Sequence, residues 1–92
     1  MSDQPYELVI APSARRQLTE QLPQPVAFAA YEFIIGPLLE NPHRVGKRLR
    51  PSLEDRHSAR RGTYRVLYRI DETSRLVTVL AVVPRADAYR AH

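Results

Sequence analysis

The spacing of apolar residues in this 92-residue chain changes from a helical to a strand pattern near its middle, and that change constrains the fold more than any other feature. After a short run of strand-forming residues at positions 6–10, apolar side chains recur at the spacing of helices. From Glu54 onward they recur at every second residue, which is typical of strands. The sequence therefore predicts one strand, then a helical half, then a sheet.

Two helices are predicted in the first half of the chain. The first spans residues 13–22, and its apolar residues repeat every four positions: Ala14, Leu18 and Leu22. Pro23 ends it, and Pro25 suits the first turn of the second helix. The core-facing stripe of that second helix consists of Val26, Ala30, Phe33 and Ile34. Because Pro37 has no N–H to donate, we expect a kink or a break at Gly36-Pro37.

Three strands are predicted in the second half, over residues 56–61, 63–70 and 75–83, joined as an antiparallel meander. The middle strand alternates cleanly. Tyr64, Val66, Tyr68 and Ile70 fall on one face, and Arg65, Leu67 and Arg69 fall on the other. The last strand is almost continuously apolar and is expected to be central and buried.

These elements predict a single α+β domain over residues 1–92. Two N-terminal helices pack on one face of a small antiparallel sheet in the order β-α-α-β-β-β, and arginines project from the other face or its rim. The basic residues 43–52, which lie between the two halves, are predicted to form an exposed loop.

The charges are divided between the two halves of the chain. Residues 1–43 contain two cations and five acids, a balance of −3, whereas residues 44–92 contain twelve cations and five acids, a balance of +7. Only Lys47 among the fourteen cations is a lysine, and the arginine fork suits bidentate contact with phosphate. A solvated basic surface is the alternative, but the asymmetry between halves favours binding of a polyanion.

Other classes of protein are disfavoured by what the sequence lacks. There are no cysteines, so disulfides and thiolate metal sites are excluded. The first six residues lack the basic start and apolar run of a signal peptide, and no apolar stretch approaches membrane-spanning length. We therefore expect a soluble cytoplasmic protein with no membrane partner, no cofactor and no metal.

Two short motifs resemble one family. Residues 60–68, Arg-Arg-Gly-Thr-Tyr-Arg-Val-Leu-Tyr, are similar to the arginine-glycine-tyrosine-arginine strand motif of RelE/ParE-type toxins. Residues 85–89, Arg-Ala-Asp-Ala-Tyr, are similar to the closing arginine and tyrosine of those toxins. The resemblance implies a toxin that is paired with a RelB-like antitoxin. Its RelE branch further implies an mRNA interferase, a metal-independent endoribonuclease that cleaves messenger RNA in the ribosomal A site.

The resemblance also implies roles for individual residues. Arg65 corresponds to the arginine that holds the scissile phosphate, and Arg85 to a cation that stabilises the transition state. Tyr89 corresponds to a tyrosine that stacks on a base and takes part in proton transfer, and Arg60 to a lysine on the preceding strand. A second family lysine falls on Ser58, so the chain departs from the family pattern there.

The chemistry leaves one role open. Cleavage through the 2′-hydroxyl needs a base, and arginine is a poor base because it stays protonated. Tyr89, the less favoured His57 and the ribosome are the candidates, although packing within the fold is the preferred interpretation of His57. We also predict a set of RNA backbone contacts: Lys47, Arg48, Arg50, Arg56 and Arg61.

Two alternative functions remain open. A ParE-like inhibitor of DNA gyrase would bind without hydrolysis, and the tyrosine retained after Arg85 disfavours it. A non-catalytic protein that binds an antitoxin or nucleic acid is the other alternative, made plausible by Ser58.

Overall fold

The computed structural model describes residues 5–49 and 56–84 of the chain. The elements in this part are β1 (Glu7–Ile10), α1 (Pro12–Arg16), α2 (Gln24–Phe33), α3 (Pro42–Val45), β2 (Lys47–Arg48), β3 (Arg56–Arg61), β4 (Tyr64–Asp71) and β5 (Leu76–Pro84). Turns of π-helix extend α1 over Gln17–Gln21 and α2 over Ile34–Leu38. The α+β architecture and the succession of helices and strands are confirmed.

The five strands form one sheet in the order β1-β5-β4-β3-β2. Strands β2 to β5 pair antiparallel, but β1 runs parallel to β5, with Leu8 opposite Val77. The sheet is therefore mixed, and the expectation of a wholly antiparallel sheet is wrong at β1. Parallel neighbours need a long connection, and the helices together with the antiparallel strands β2 to β4 lie between β1 and β5 in the chain.

Strand β5 extends beyond β1, and α1 covers the edge that would otherwise be exposed. The Ala11 N–H donates to the Val79 carbonyl at 2.9 Å, after which β1 no longer pairs. The Ser13 hydroxyl then donates to the Leu80 carbonyl at 2.8 Å, and the Val82 N–H donates to Gln17 Oε1 at 2.7 Å. Side chains of the first helix thus replace the missing strand as hydrogen-bond partners.

The predicted interruption at Gly36-Pro37 takes the form of a π-helical turn. Leu39 and Glu40 remain helical beyond it, and the Asn41 N–H donates to the Pro37 carbonyl at 3.1 Å. The wider π-helical turn accommodates Pro37, which has no N–H to donate, without ending the helix. Among the described residues, no helix is long and apolar enough to cross a membrane.

The core lies between the helices and one face of the sheet. The alternation predicted for β4 is confirmed, since Tyr64, Val66 and Tyr68 are buried while Arg69 is exposed. Strand β5 is interior to the sheet, but only every second or third residue of it is fully buried. The helical side of the core is formed mainly by Ala14, Ala30, Phe33, Ile34, Leu38 and Leu39.

The segment between α2 and β3 is more ordered than its sequence indicates. The prediction of an exposed loop over residues 43–52 is wrong for residues 43–48, which contribute to α3 and to β2. Lys47 pairs with Ser58 of β3, and the Leu49 N–H donates to the Arg56 carbonyl at 3.0 Å. The pairing explains the difference, because a two-residue strand depends on its neighbour and not on its own hydrophobic pattern.

Gly46 lets this segment approach the sheet closely. A Cβ atom built on Gly46 would lie 2.9 Å from the Ser58 carbonyl oxygen and would also collide with the Tyr68 hydroxyl. That hydroxyl is fixed by a 2.5 Å hydrogen bond to the Pro42 carbonyl. The absence of a side chain at position 46 therefore sets the distance between the α3–β2 segment and the sheet.

We predict that Gly46→Ala lowers the free energy of unfolding by about 1–3 kcal/mol, because the added methyl overpacks a site walled by backbone. Urea denaturation measures the change. Gly36→Ala is the matched control, since nothing lies within 4 Å of a Cβ at that helical position. Gly36→Ala is expected to leave the free energy of unfolding unchanged or to raise it by at most about 1 kcal/mol. Equal stabilities of wild type and Gly46→Ala would contradict the close approach.

Candidate nucleic-acid interface

A basic groove opens where the α3–β2 segment meets the outer face of the sheet. Its volume is about 600 Å³, and its lining residues are Arg44, Val45, Gly46, Lys47, Arg48, Leu49, Ser58, Arg60 and Arg65. Five of these residues are cations and none is an acid. We call this feature the cationic groove. Its electrostatics favour a polyanion over any neutral or cationic ligand.

Two arginines form the floor of the cationic groove. Arg60 on β3 lies directly opposite Arg65 on β4, so their side chains leave the same face of the sheet. Like charges at directly opposite positions of an antiparallel pair destabilise the sheet. A bound anion between the guanidinium groups would remove this repulsion.

Arg65 has further capacity to bind an anion. Its side chain is half-buried, and within residues 5–49 and 56–84 its buried Nε–H has no hydrogen-bond acceptor. A buried donor without a partner is costly, and a phosphate oxygen can satisfy it. Asp71, an acid at the end of β4, accepts the N–H groups of Thr73 and Ser74 in the β4–β5 turn.

The same face carries a second pair of arginines. Arg56 lies opposite Arg69, further along the same ladder from Arg60 and Arg65. Both Arg56 and Arg69 are exposed. Arg56 therefore shares the face of the cationic groove, as its predicted role in RNA binding requires, although it does not line the groove itself.

Arg61 lies on the opposite side of the sheet from Arg60. It pairs with the buried Tyr64, and its guanidinium carbon sits 4.5 Å from the ring centroid of Phe33 in the core. This geometry is a cation–π contact between the sheet and α2. The structure thus separates Arg61 from Lys47 and Arg56, and its role in RNA binding stays a prediction.

Three predicted site residues lie outside the described part of the chain: Arg50, Arg85 and Tyr89. Their roles stay predictions. Pro84, the last described residue of β5, pairs with Tyr64 at the end of the ladder that also contains Arg65.

The aromatic and histidine side chains of β3 and β4 face the core. The Tyr64 hydroxyl reaches the Ala29 carbonyl at 3.4 Å, and burial raises the pKa of Tyr64. Burial likewise raises the pKa of Tyr68 to about 12. His57 is buried and stacked on Tyr68, with 5.4 Å between ring centroids. These side chains leave the sheet on the face opposite Arg60 and Arg65.

Arg44 also lines the groove, although it is not among the RNA-binding residues predicted from the sequence. The available signal was its place in the basic stretch that also holds Lys47 and Arg48. Ser58 lines the groove between the two arginine pairs, at the position where the family pattern has a lysine. In the described part of the chain, no group of three or more His, Asp or Glu side chains could hold a metal ion.

Comparison with known proteins agrees with the resemblance noted in the sequence. A family model described as the ParE toxin of the type II toxin–antitoxin system parDE matches residues 8–89. The Toxin RelE of Mycobacterium tuberculosis is 49% identical over 88 residues, which cover 96% of this chain and 90% of that protein.

Two solved structures share the fold. The toxin–antitoxin complex RelBE2 of M. tuberculosis contains a chain with 46% identity and a TM-score of 0.84, covering 89% of this chain and 100% of that one. The isolated RelE toxin of E. coli has a TM-score of 0.72 at 21% identity, covering 91% of this chain and 90% of that one. At that lower identity the likeness concerns the fold alone. With the family model and the close relatives together, the chain belongs to the RelE/ParE family of type II toxin–antitoxin toxins.

Proposed function

We propose that this toxin is a ribosome-dependent endoribonuclease, acting in the cytoplasm, that holds messenger RNA in the cationic groove and cleaves it in the ribosomal A site. The observation that carries the proposal is the opposed pair Arg60 and Arg65 on the groove floor. Two opposed guanidinium groups, one with a buried Nε–H that has no acceptor among the described residues, suit a phosphate that gains negative charge in the transition state.

The proposed reaction needs no cofactor. The 2′-hydroxyl loses its proton and attacks the neighbouring phosphorus, the bond to the 5′-oxygen breaks, and that oxygen takes up a proton. Arg65 and Arg60 stabilise the charge on the phosphate oxygens, with Arg85 as a third cation. Tyr89 or the ribosome supplies the base, because His57 is buried on the other side of the sheet.

The remaining cations of the groove serve to hold the RNA backbone. Arg44, Lys47 and Arg48 line the groove from the α3–β2 segment (residues 42–48), which we call the wall, and Lys47, paired with Ser58, shares the face of Arg60 and Arg65. Contacts of this kind give affinity and register without reading the base sequence. Arg56 extends the basic face beyond the groove, and Arg50 belongs to the same predicted set.

The proposed physiological partner is a RelB-like antitoxin. The M. tuberculosis chain that is 46% identical to this one is part of a toxin–antitoxin complex. An acidic or amphipathic antitoxin segment would neutralise the opposed arginines in the absence of RNA.

Gyrase inhibition is the second candidate, because the family model carries the name of ParE. It requires surface complementarity to a protein and gives no reason for a groove-lining arginine whose buried Nε–H lacks an acceptor within residues 5–49 and 56–84. Expression of the toxin distinguishes the two functions: breaks within codons of messenger RNA support cleavage, and gyrase trapped on DNA supports inhibition.

We predict that Arg65→Ala lowers the cleavage rate on purified, messenger-programmed ribosomes by about 10²–10³-fold, the usual effect of losing one transition-state donor. Arg65→Lys keeps the positive charge but loses the forked donor geometry of the guanidinium group, so this variant should retain intermediate activity. Arg16→Ala, an exposed arginine of α1, is the matched control for loss of one positive charge. Full activity in a folded Arg65→Ala variant would refute the role of the groove floor.

A gain of function is expected at Ser58. Because Ser58 lines the groove beside the floor arginines, Ser58→Lys adds a cation next to the bound phosphate. We predict that cleavage on programmed ribosomes becomes faster, and that binding of single-stranded RNA becomes tighter and more dependent on salt. Thr19→Lys, an exposed position on the π-helical extension of α1, adds the same charge far from the groove. If both variants changed activity equally, the effect would be one of net charge and not of position.

A further prediction concerns the C-terminal residues. The combined change of Arg85 and Tyr89 to Ala is expected to abolish growth arrest on induction while leaving the fold intact, since the family pattern assigns transition-state stabilisation and proton transfer to them. Thermal unfolding of the purified variant checks the fold. Persistent growth arrest by a folded double variant would contradict the proposal.

A further inference from the structure

A cluster of polar side chains lies on the opposite side of the sheet from the groove floor. Glu72, in the β4–β5 turn, uses one carboxylate oxygen to accept hydrogen bonds from His43 Nε2 and from the Tyr6 hydroxyl, the latter at 2.7 Å. The Arg75 guanidinium carbon lies 4.0 Å from the ring centroid of Tyr6. We call His43, Glu72 and Tyr6 the clasp.

The clasp joins three parts of the chain that are far apart in sequence. His43 belongs to α3, Glu72 follows β4, and Tyr6 precedes β1, where its N–H donates to the Leu39 carbonyl at 3.0 Å. Helix α3 has only four residues, so it is not stable without such tertiary contacts. The clasp therefore fixes the position of α3 on the body of the protein.

Ring contacts continue from the clasp toward the groove. The His43 ring meets the His57 ring edge to face at 5.8 Å, and His57 in turn stacks on Tyr68. The Tyr68 hydroxyl then touches the α3–β2 segment at Pro42 and Gly46. A continuous set of packed groups thus connects the β4–β5 turn with the groove wall.

The cations of the α3–β2 wall begin at the residue after His43. Arg44, Lys47 and Arg48 follow within one short turn and a two-residue strand, and all of them line the cationic groove. Besides the clasp and the Tyr68 contact, the buried Pro42, the packing of Val45 on the core and the pairing of β2 with the edge of β3 attach this wall. A shift of α3 would move these cations relative to Arg60 and Arg65.

We propose that the clasp is a positioning device for the RNA groove, which holds the α3–β2 wall where its cations and the floor arginines engage one RNA backbone together. His43 and Glu72 act through the wall and do not touch RNA. This inference rests on the proposed function of the groove, and it assigns a role to residues that the cleavage chemistry does not use.

Charge provides a sharp test, because Glu72 is an acid in a protein that binds a polyanion. If Glu72 acted only through its charge, its removal would strengthen RNA binding. If it acts through the clasp, Glu72→Gln weakens binding although no cation is removed. The two explanations predict changes of opposite sign.

The experiment measures the dissociation constant of a single-stranded RNA, 2′-O-methylated so that it cannot be cleaved, over a series of salt concentrations. For Glu72→Gln we expect binding about tenfold weaker, as for the removal of a charge-assisted hydrogen bond. We also expect the slope of log K against log salt to fall by about 0.7 for each phosphate that the displaced wall no longer neutralises. Glu32→Gln, an exposed acid of α2, is the control for charge and should bind as tightly as wild type or tighter.

A double-mutant cycle tests whether His43 and Glu72 act as a unit. His43→Ala is expected to weaken RNA binding as Glu72→Gln does, and the double variant should bind no more weakly than the worse single variant. Unchanged affinity and salt slope in Glu72→Gln, with wild type binding RNA, would overturn the clasp alone. Absence of salt-dependent RNA binding by wild type would instead overturn the proposed function of the groove.

The pH dependence of stability tests the clasp without RNA. Hydrogen bonds from His43 and Tyr6 lower the pKa of the Glu72 carboxyl below its ordinary value of 4.5. A carboxyl whose pKa is lowered by folding stabilises the native state above its unfolded pKa, and the effect is lost as pH falls through the folded pKa. In urea denaturation, wild type should therefore lose stability more steeply than Glu72→Gln below about pH 5. Identical pH profiles would contradict the clasp.

Discussion

The pleat of β4 is the constraint on which the rest of the structure depends. Side chains of a strand alternate between its faces, so burying Tyr64, Val66 and Tyr68 against the helices directs Arg65 and Arg69 outward. Antiparallel pairing with β3 then brings Arg60 opposite Arg65. A register slip of one residue would exchange the core and the cationic face together. The packing that stabilises the fold therefore also places the arginines of the cationic groove.

The groove floor is electrostatically unfavourable in the free protein. Two opposed arginine pairs oppose folding, as does the buried Nε–H of Arg65, which has no acceptor in the described part of the chain. The helices on the other face supply the apolar burial that offsets these costs. Such a surface gains most from binding an anion. In the proposed function, the RNA backbone or an acidic antitoxin segment supplies that anion.

The sequence predicted what depends on local periodicity, and it missed what depends on tertiary pairing. The three C-terminal strands and the core face of β4 followed from a two-residue pattern of strong strand formers. The parallel direction of β1, the strand β2 and the helix α3 did not, because each depends on a distant partner. The same alternation placed Arg65 on the face opposite the core, as the structure has it. The opposite orientation of Arg61 needed the register, since the turn at Gly62 follows it directly.

The clasp shows the same limit at the level of a single contact. His43 has no cluster of carboxylates around it in sequence, and only the fold brings Glu72 to it from the β4–β5 turn. Gly46 falls within a predicted loop. In the structure, because it has no side chain, the α3–β2 wall can pack against Tyr68. Both features act on the distance between the α3–β2 wall and the floor arginines Arg60 and Arg65. Counting the charges in the sequence does not measure that distance. In a groove lined only by cations, affinity follows from charge, but the ability to hold one phosphate between opposed arginines follows from that spacing.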